Sequence, residues 1–446
     1  MKANYDIVVI GFGKAGKTLA AKFSKAGKSV ALIEKDKNMY GGTCINVGCI
    51  PSKRLITDAA KSTTGEFEEK AQYYKKAVAE KKKLTAALNK ANYDKVASTG
   101  VDIIDGTASF KDDHHIIVST KDGNVEIKAE KFIINTGSVT VIPKIEGADS
   151  KGVYTSESIM NLEELPKRLT IVGGGYIGLE FASMYADFGS KVTVVQDGDV
   201  FLPREDEDIA KAIREVLEAK SVEIVTGAKV TKAEEGKLYY EVLGESKTLD
   251  SDAILLAVGR RPNTDGLGCE NAGVKLTDRG GVVTDEHLKT SADNIWAAGD
   301  VCGKLQFTYI SLDDSRIIWD EIMGEDKRTT ENRGAFSYSV FINPPFSRVG
   351  MSEKDAKAAG VEYKVLSLSA NAIPKAKVLR KTDGLLKALV KADGTILGAE
   401  LFCEESYEMI NFIKLAMDHG IKARDIANFI FTHPTMSESL NDLFAM

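Results

Sequence analysis

The feature that most constrains this chain is a strand–turn–helix–strand pattern that occurs twice. The first copy reads Tyr5-Asp-Ile-Val-Val-Ile, then Gly11-Phe-Gly13-Lys-Ala-Gly16, a helical stretch to Ala26, and Ser29-Val-Ala-Leu-Ile33 followed by Glu34. The second reads Leu169-Thr-Ile-Val, then Gly173-Gly-Gly175-Tyr176-Ile177-Gly178, a helical stretch to Phe188, and Lys191-Val-Thr-Val-Val195 followed by Gln196. Gly11 to Glu34 and Gly173 to Gln196 share one spacing, so the chain contains two dinucleotide-type βαβ units. Such a glycine turn lets backbone approach a pyrophosphate at a helix N-terminus, where free N–H groups and the helix dipole favour anions. Glu34 is placed to accept hydrogen bonds from ribose hydroxyls. Gln196 can still bond a ribose, and Asp197 beside it would repel a 2′-phosphate. The second site therefore favours NADH, with Arg204 as the residue that could swing toward the phosphate of NADPH.

The length of 446 residues suggests about three compact units. Hydrophobic residues at 43% and charged residues at 28% exclude a disordered chain. A net charge of −6 is the opposite of the basic footprint that nucleic acid requires, so no nucleic-acid partner is expected. No apolar run approaches the roughly 20 residues that span a bilayer, and no apolar signal segment precedes the first strand, so a cytoplasmic protein without a membrane partner is expected.

Residues 52–98 are rich in Lys, Glu and Ala and predict two surface helices with a break near Thr63-Thr-Gly65. Acids interleave with Lys81-Lys-Lys83, which reads as a solvated helix face. From Val101, short β-rich runs through Phe110, Ile116-Ile-Val118 and Phe132-Ile-Ile134 complete the first unit. After Arg261-Pro-Asn263 the chain returns to that unit, and from Ala335 an α+β module begins with Ser337-Tyr-Ser-Val-Phe341.

Five cysteines in so long a chain are no disulfide scaffold, and the odd count leaves at least one thiol unpaired. Cys44 and Cys49 stand out within Gly41-Gly42-Thr43-Cys44-Ile-Asn-Val-Gly48-Cys49-Ile-Pro51-Ser-Lys53. They can close a small disulfide only if the intervening turn departs from a regular helix. A structural staple and a redox pair are the two readings, and the redox pair is preferred because cytosolic disulfides are usually catalytic or sensing. Zinc would need further ligands at suitable spacing, and the five histidines are scattered, so no metal site is expected. Cys269, Cys302 and Cys403 lack spaced partners and are expected to be non-essential.

With these motifs the chain resembles the class I pyridine nucleotide-disulfide oxidoreductases, the flavoprotein family of dihydrolipoamide dehydrogenase, glutathione reductase and mercuric reductase. The resemblance covers essentially the whole chain. It extends to Ile134-Asn-Thr-Gly137-Ser138 and Ala257-Val-Gly259-Arg260-Arg-Pro262 as two crossings between domains, to Thr290-Ser-Ala-Asp-Asn-Ile-Trp-Ala-Ala-Gly299-Asp300 as a second FAD motif, and to His433-Pro-Thr-Met-Ser-Glu438. It implies an α/β fold with two Rossmann-like dinucleotide-binding domains and a C-terminal α+β dimerisation domain. Residues 1–145 and 263–334 would form the FAD domain, 146–262 the NAD(P) domain and 335–446 the interface domain.

The resemblance also implies roles. FAD, one per subunit, would be bound by Gly11, Gly13, Gly16, Glu34, Lys35, Gly42, Thr43, Lys53, Thr107, Ala108, Thr136, Gly137, Ser138, Gly299 and Asp300. The nicotinamide nucleotide would be bound by Gly173, Gly175, Tyr176, Ile177, Gly178, Glu180, Gln196, Asp197, Gly259 and Arg260. Cys49 would be the thiolate against the flavin, Cys44 would attack substrate, and Lys53 would place a cation near the flavin, paired with Glu180. His433, oriented by Glu438, would exchange protons with Cys44 of the other subunit, which implies a homodimer.

Within the family the chain looks most like the reactive-chlorine-resistance branch, described also as hypothiocyanous acid reductases. Met39-Tyr-Gly-Gly-Thr-Cys44, Phe201-Leu-Pro-Arg-Glu-Asp206 and the stretches 305–314 and 431–443 carry that likeness. Tyr309 stands where dihydrolipoamide dehydrogenases commonly have histidine, and Asn343-Pro-Pro-Phe346 replaces their Pro-Glu. A C-terminal cysteine pair and an N-terminal metal-binding module, usual in mercuric reductases, are not found, which disfavours mercury reduction. The competing readings are a dihydrolipoamide dehydrogenase or other disulfide reductase, a Cu(II) or Hg(II) reductase, an oxidase, and a redox sensor that does not turn over.

Overall fold

The computed structural model describes residues 2–62, 64–324 and 327–446. β1 (Asn4–Ile10), α1 (Lys14–Lys25) and β2 (Val30–Glu34) form the first βαβ unit, with β1 and β2 parallel. The apolar faces of α1 at Ala15, Leu19, Ala20 and Phe23 are buried against the sheet. α2 (Thr43–Asn46) and α3 (Cys49–Ala59) are separated by Val47 and Gly48, the departure from a regular helix that the cysteine spacing requires.

α4 (Phe67–Ala97) completes the pair of helices expected over 52–98; Thr63, at the expected break, lies outside the described residues. α4 is not wholly a surface helix. Tyr74, Ala77, Val78 and Lys81 fall on one helical face and are buried, Lys81 being 3% exposed. Lys81 Nζ donates to Asn161 Oδ1 at 2.7 Å, whereas Lys82 and Lys83 pair with Glu163 and Glu80 at the surface. The solvated face thus starts at Lys82.

The chain continues through β3 (Asp102–Asp105), β4 (Thr107–Phe110), β5 (His115–Thr120) and β6 (Gly123–Ile134), and crosses out along β7 (Ser138–Thr140). The second domain contains β8 (Val153–Thr155), α5 (Ser156–Ile159), β9 (Arg168–Val172), α6 (Tyr176–Phe188), β10 (Lys191–Val195), α7 (Glu207–Ala219) and β11 (Val222–Val225). It ends with an antiparallel trio, β12 (Ala228–Glu234), β13 (Lys237–Val242) and β14 (Glu245–Asp250), and with β15 (Ala253–Leu256). β16 (Arg260–Pro262) crosses back, antiparallel to β7. β17 (Ile295–Ala297) then pairs with β6, and α8 (Thr308–Met323) packs beside α1. The main sheets run β3-β2-β1-β6-β5-β4, with β17 on β6, and β11-β10-β9-β15-β8. Parallel strands flanked by helices bring both glycine turns to the carboxyl ends of their sheets.

The last module holds β18 (Ser337–Val340), β19 (Phe346–Gly350), α9 (Glu353–Ala358), β20 (Lys364–Ser369), α10 (Pro374–Leu379), β21 (Leu385–Val390), β22 (Ile396–Phe402), α11 (Ser406–Asp418), α12 (Ala423–Ala427) and α13 (Ser439–Ala445). Its antiparallel sheet, β18-β19-β22-β21-β20, packs on α11 and α13 around a separate core. Among the described residues no helix is long and apolar enough to cross a membrane.

Candidate active site

The two glycine turns are tight for the same reason. A Cβ on Gly11 would lie 2.3 Å from the Asn135 carbonyl oxygen, and one on Gly173 would lie 2.5 Å from that of Ala257, so neither turn could pass its neighbouring strand with a side chain. Gly16 and Gly178 approach the carbonyls of Gly11 and Gly173 just as closely. α1 and α6 begin at Gly13 and Gly175, which offer no capping side chain. Asn135, absent from the expected site residues, ties the first site together: its Oδ1 accepts from Gly16 N at 2.8 Å and its Nδ2 donates to Ala298 O at 2.7 Å. Its only sequence signal is its place at the end of β6, within the crossing motif.

Glu34 is buried at the end of β2, where its Oε2 accepts from Phe12 N at 3.0 Å and its Oε1 from Asp36 N at 3.2 Å. Burial pushes its carboxyl up. Lys35 and Thr107 line a cavity of about 810 Å³, whereas the Ala108 side chain points into the core and leaves only its backbone for a ligand. Thr136 Oγ1 donates to Asn263 O at 2.6 Å across the crossing. Gly137 adopts φ 73° there. Ser138 Oγ donates to Asp300 Oδ2 at 2.7 Å, and Gly299 N is held by Asp314 Oδ2 at 2.7 Å. Burial pushes Asp300 up, opposed by Ser138 and Arg260. Two uncapped glycine turns, a buried carboxylate beside the first and a second carboxylate at the crossing are a donor and acceptor set that fits a bound dinucleotide.

At the second turn, Gln196 Nε2 donates to Gly198 O at 2.8 Å and to Val200 O at 3.0 Å, which fixes its amide so that Oε1 faces Gly174. Asp197 is exposed, its Oδ1 accepting from Gly198 N at 2.9 Å, and Arg204 is exposed. The Tyr176 hydroxyl donates to Glu205, which is 0% exposed, and lies 3.1 Å from the Tyr338 hydroxyl. Ile177 packs against the domain core, and Gly259 takes φ 121°. Arg260 is engaged at the crossing, donating to Ser138 O at 2.8 Å and pairing with Glu157 at 2.9 Å.

The thiols lie on α2 and α3, beside the first turn. Gly42, with φ 81°, packs on Gly13, and Thr43 opens α2. Asn46 Nδ2 ties the loop by donating to Tyr40 O and Gly42 O, while Asn89 of α4 donates to Asn46 Oδ1 at 3.0 Å. Cys44 and Cys49 are both thiols. Hydrogen bonding from Cys49, then Thr308, and the charges of Lys17 and Lys53 bring Cys44 down to about 6 against the effect of burial. Cys49, an exposed residue at the start of α3, is driven up by the same bond to Cys44. The pair thus releases one proton readily and holds the other, the charge belonging to both sulfurs. Lys17 Nζ is anchored by Asn92 Oδ1 at 2.6 Å and Gly41 O at 3.2 Å. Lys53 Nζ contacts Glu180 Oε2 at 2.6 Å, and Glu180 Oε1 accepts from Phe341 N at 2.9 Å.

His433 Nδ1 lies 2.8 Å from Glu438 Oε2, with the imidazole side chain 72% exposed. Among the described residues neither group bonds to the cysteines of its own chain. Cys269, Cys302 and Cys403 are buried, and burial pushes each thiol up, Cys269 to about 11.

The pyridine nucleotide-disulphide oxidoreductase family matches residues 5–315, and the family's dimerisation domain matches residues 336–444. The chain belongs to this family. Members of the pyridine nucleotide-disulfide oxidoreductase family are FAD-dependent and use a pyridine nucleotide. The chain is 49% identical over 445 residues, 99% of each protein, to the probable pyridine nucleotide-disulfide oxidoreductase RclA of Escherichia coli (strain K12). It is 34% identical to a mercuric reductase of Staphylococcus aureus over 98% of this chain and 81% of that protein. A solved Cu(II) complex of the HOCl-induced flavoprotein disulfide reductase RclA from Escherichia coli superposes with a TM-score of 0.94 at 48% identity, covering 100% of this chain and 99% of the other.

Proposed function

We propose that this flavoprotein oxidises NADH and reduces hypothiocyanous acid to thiocyanate through the Cys44–Cys49 pair. The observation that carries the reading is a pair of thiols, Cys44 and Cys49, on consecutive helical turns beside the Lys53–Glu180 ion pair, in a chain 49% identical to RclA. FAD, when bound, relays reducing equivalents from the nicotinamide to the disulfide. The protein residues do the rest. The Cys44 thiolate attacks the sulfur of hypothiocyanous acid, forming an S–S bond and expelling hydroxide, which takes up a proton to become water. The Cys49 thiolate then attacks the Cys44 sulfur, restoring the disulfide as thiocyanate leaves.

Gln196 supports NADH, because both its amide hydrogens are committed to carbonyls and the oxygen that remains accepts from a ribose hydroxyl but repels a 2′-phosphate. The working unit is a homodimer. Phe412, Leu415, Phe429 and Ile430 are exposed apolar residues on the module that carries His433, and a second subunit would cover them. His433 and Glu438 of the partner subunit would then serve Cys44 as proton donor and orienting group. We place the reaction in the cytoplasm, where reduced nicotinamide is supplied.

The test compares oxidation of NADH and of NADPH by purified protein with hypothiocyanous acid, lipoamide, oxidised glutathione, Cu(II) and Hg(II) at matched concentrations. Hypothiocyanous acid with NADH is expected to be fastest. A rate with lipoamide or oxidised glutathione at least tenfold higher would replace the substrate assignment, while colourless protein that releases no flavin on denaturation would remove the enzyme assignment.

A further inference from the structure

Thr308 is the first residue of α8, and it is assigned no role by the motifs above. Its Oγ1 lies 3.6 Å from Cys49 Sγ, and its hydroxyl also lowers the neighbouring Cys44 thiol. The turn that carries it is fixed from both sides. Tyr309, the residue that replaces a histidine, donates its hydroxyl to Ser337 O on β18. Phe307 packs its ring 5.4 Å from Tyr309 and 5.4 Å from Phe336. The sequence departure at Tyr309 thereby gains a structural use: it pins the start of α8 to the dimerisation module with Thr308 aimed at the sulfurs.

We propose that Thr308 is a third catalytic residue of the dithiol site, donating its hydroxyl hydrogen to whichever of Cys44 and Cys49 carries the negative charge, with Tyr309 as its positioning residue. This rests on the reading of Cys44–Cys49 as a redox pair. The hydroxyl keeps its proton throughout, so no atom is transferred. A disulfide offers it no charged acceptor, and the bond is therefore made mainly in the reduced state, which it stabilises. The other groups facing the sulfurs are the cations Lys17 of α1 and Lys53 of α3, the latter ion-paired with Glu180 of α6. Thr308 is thus the neutral donor that can follow the charge from one sulfur to the other without competing for a carboxylate.

The experiment uses full-length flavin-loaded protein, reduced and then alkylated with iodoacetamide across pH 4–9, together with redox titration of the pair against glutathione. Thr308→Val should raise the midpoint of the alkylation profile by about one pH unit and shift the dithiol–disulfide equilibrium about tenfold toward disulfide, roughly 30 mV. Thr308→Ser should restore both. Tyr309→Phe should move them in the same direction by a smaller amount. A Thr308→Val profile and potential equal to wild type, or a Thr308→Ser protein as shifted as Thr308→Val, overturns the proposal. Wild-type protein that shows no reversible dithiol at all overturns the redox reading instead, and so separates the two failures.

Discussion

Lys17 shows how one side chain sets the chemistry of another. It is drawn down to about 8 by burial and by Lys14, yet its remaining charge helps to hold Cys44 low. A carboxamide or thioether in its place would leave Cys44 with one cation fewer. For the wild type, a thiol with a lowered pKa is charged above that pKa, so alkylation of the reduced pair should rise through about pH 6. Lys17→Met should move that rise toward neutral pH, and Lys17→Arg should move it less. Cys49→Ser should abolish turnover with every oxidant and remove the long-wavelength absorption that NADH reduction produces, while circular dichroism stays unchanged. An unaltered absorption band would show that Cys49 is not the sulfur beside the flavin.

At the scale of elements, the turns and the connections between them carry the site. Gly42 combines φ 81° with a Cβ position 2.8 Å from Gly13 Cα, so Gly42→Ala must displace either the α2 turn or the first glycine turn. We expect flavin content to fall by more than half and the melting temperature to drop, by an amount consistent with about 1–3 kcal/mol of backbone strain. Flavin released on denaturation, measured per chain, checks this. The elements themselves are largely legible in the residues: both βαβ units, the two helices of 52–98 and an α+β C-terminal module, while the crossings at 138 and 260 follow from the family resemblance and the antiparallel order of the last sheet could not be read. What could not be read was side-chain partnership over long separations. Lys81 is charged and follows a polar stretch, and only its register with Tyr74 and Ala77 against the second domain explains its burial. Asn135, Thr308 and Lys17 likewise gain meaning only when strands and helices distant in sequence meet, because nothing local marks a polar residue whose partner lies more than 70 positions away.

For the whole molecule, two features predict bulk behaviour. Glu400 is 0% exposed, and burial with the adjacent Asp206 carboxylate pushes its own carboxyl up to about 9. Its folded form keeps a proton that the unfolded chain releases near the usual 4.5, so this group's contribution to stability should fall as pH rises above about 4.5. Glu400→Gln should match wild type near pH 5 and be the more stable protein at pH 8, as read by denaturant titration. The second concerns assembly. If His433 serves the partner's thiols, mixing Cys44→Ser and His433→Ala subunits regenerates one intact site per mixed dimer, and activity should recover to about a quarter of wild type after random re-association. No recovery after subunit exchange has been verified would place His433 outside the neighbouring site.

Glu180 touches all three domains at once: it belongs to α6 of the second, receives Lys53 of the first and holds Phe341 N of the third. The three units are consequently not interchangeable cassettes. A chimera that exchanged the C-terminal module with that of a relative would keep this backbone donor only if residue 341 followed the same path, and any displacement there would reach, through the carboxylate, the lysine one helical turn beyond Cys49. Keeping the Lys53–Glu180 pair in place therefore requires keeping the seam, and recombination between lineages should succeed best where the segment around Phe341 travels together with α3 and α6.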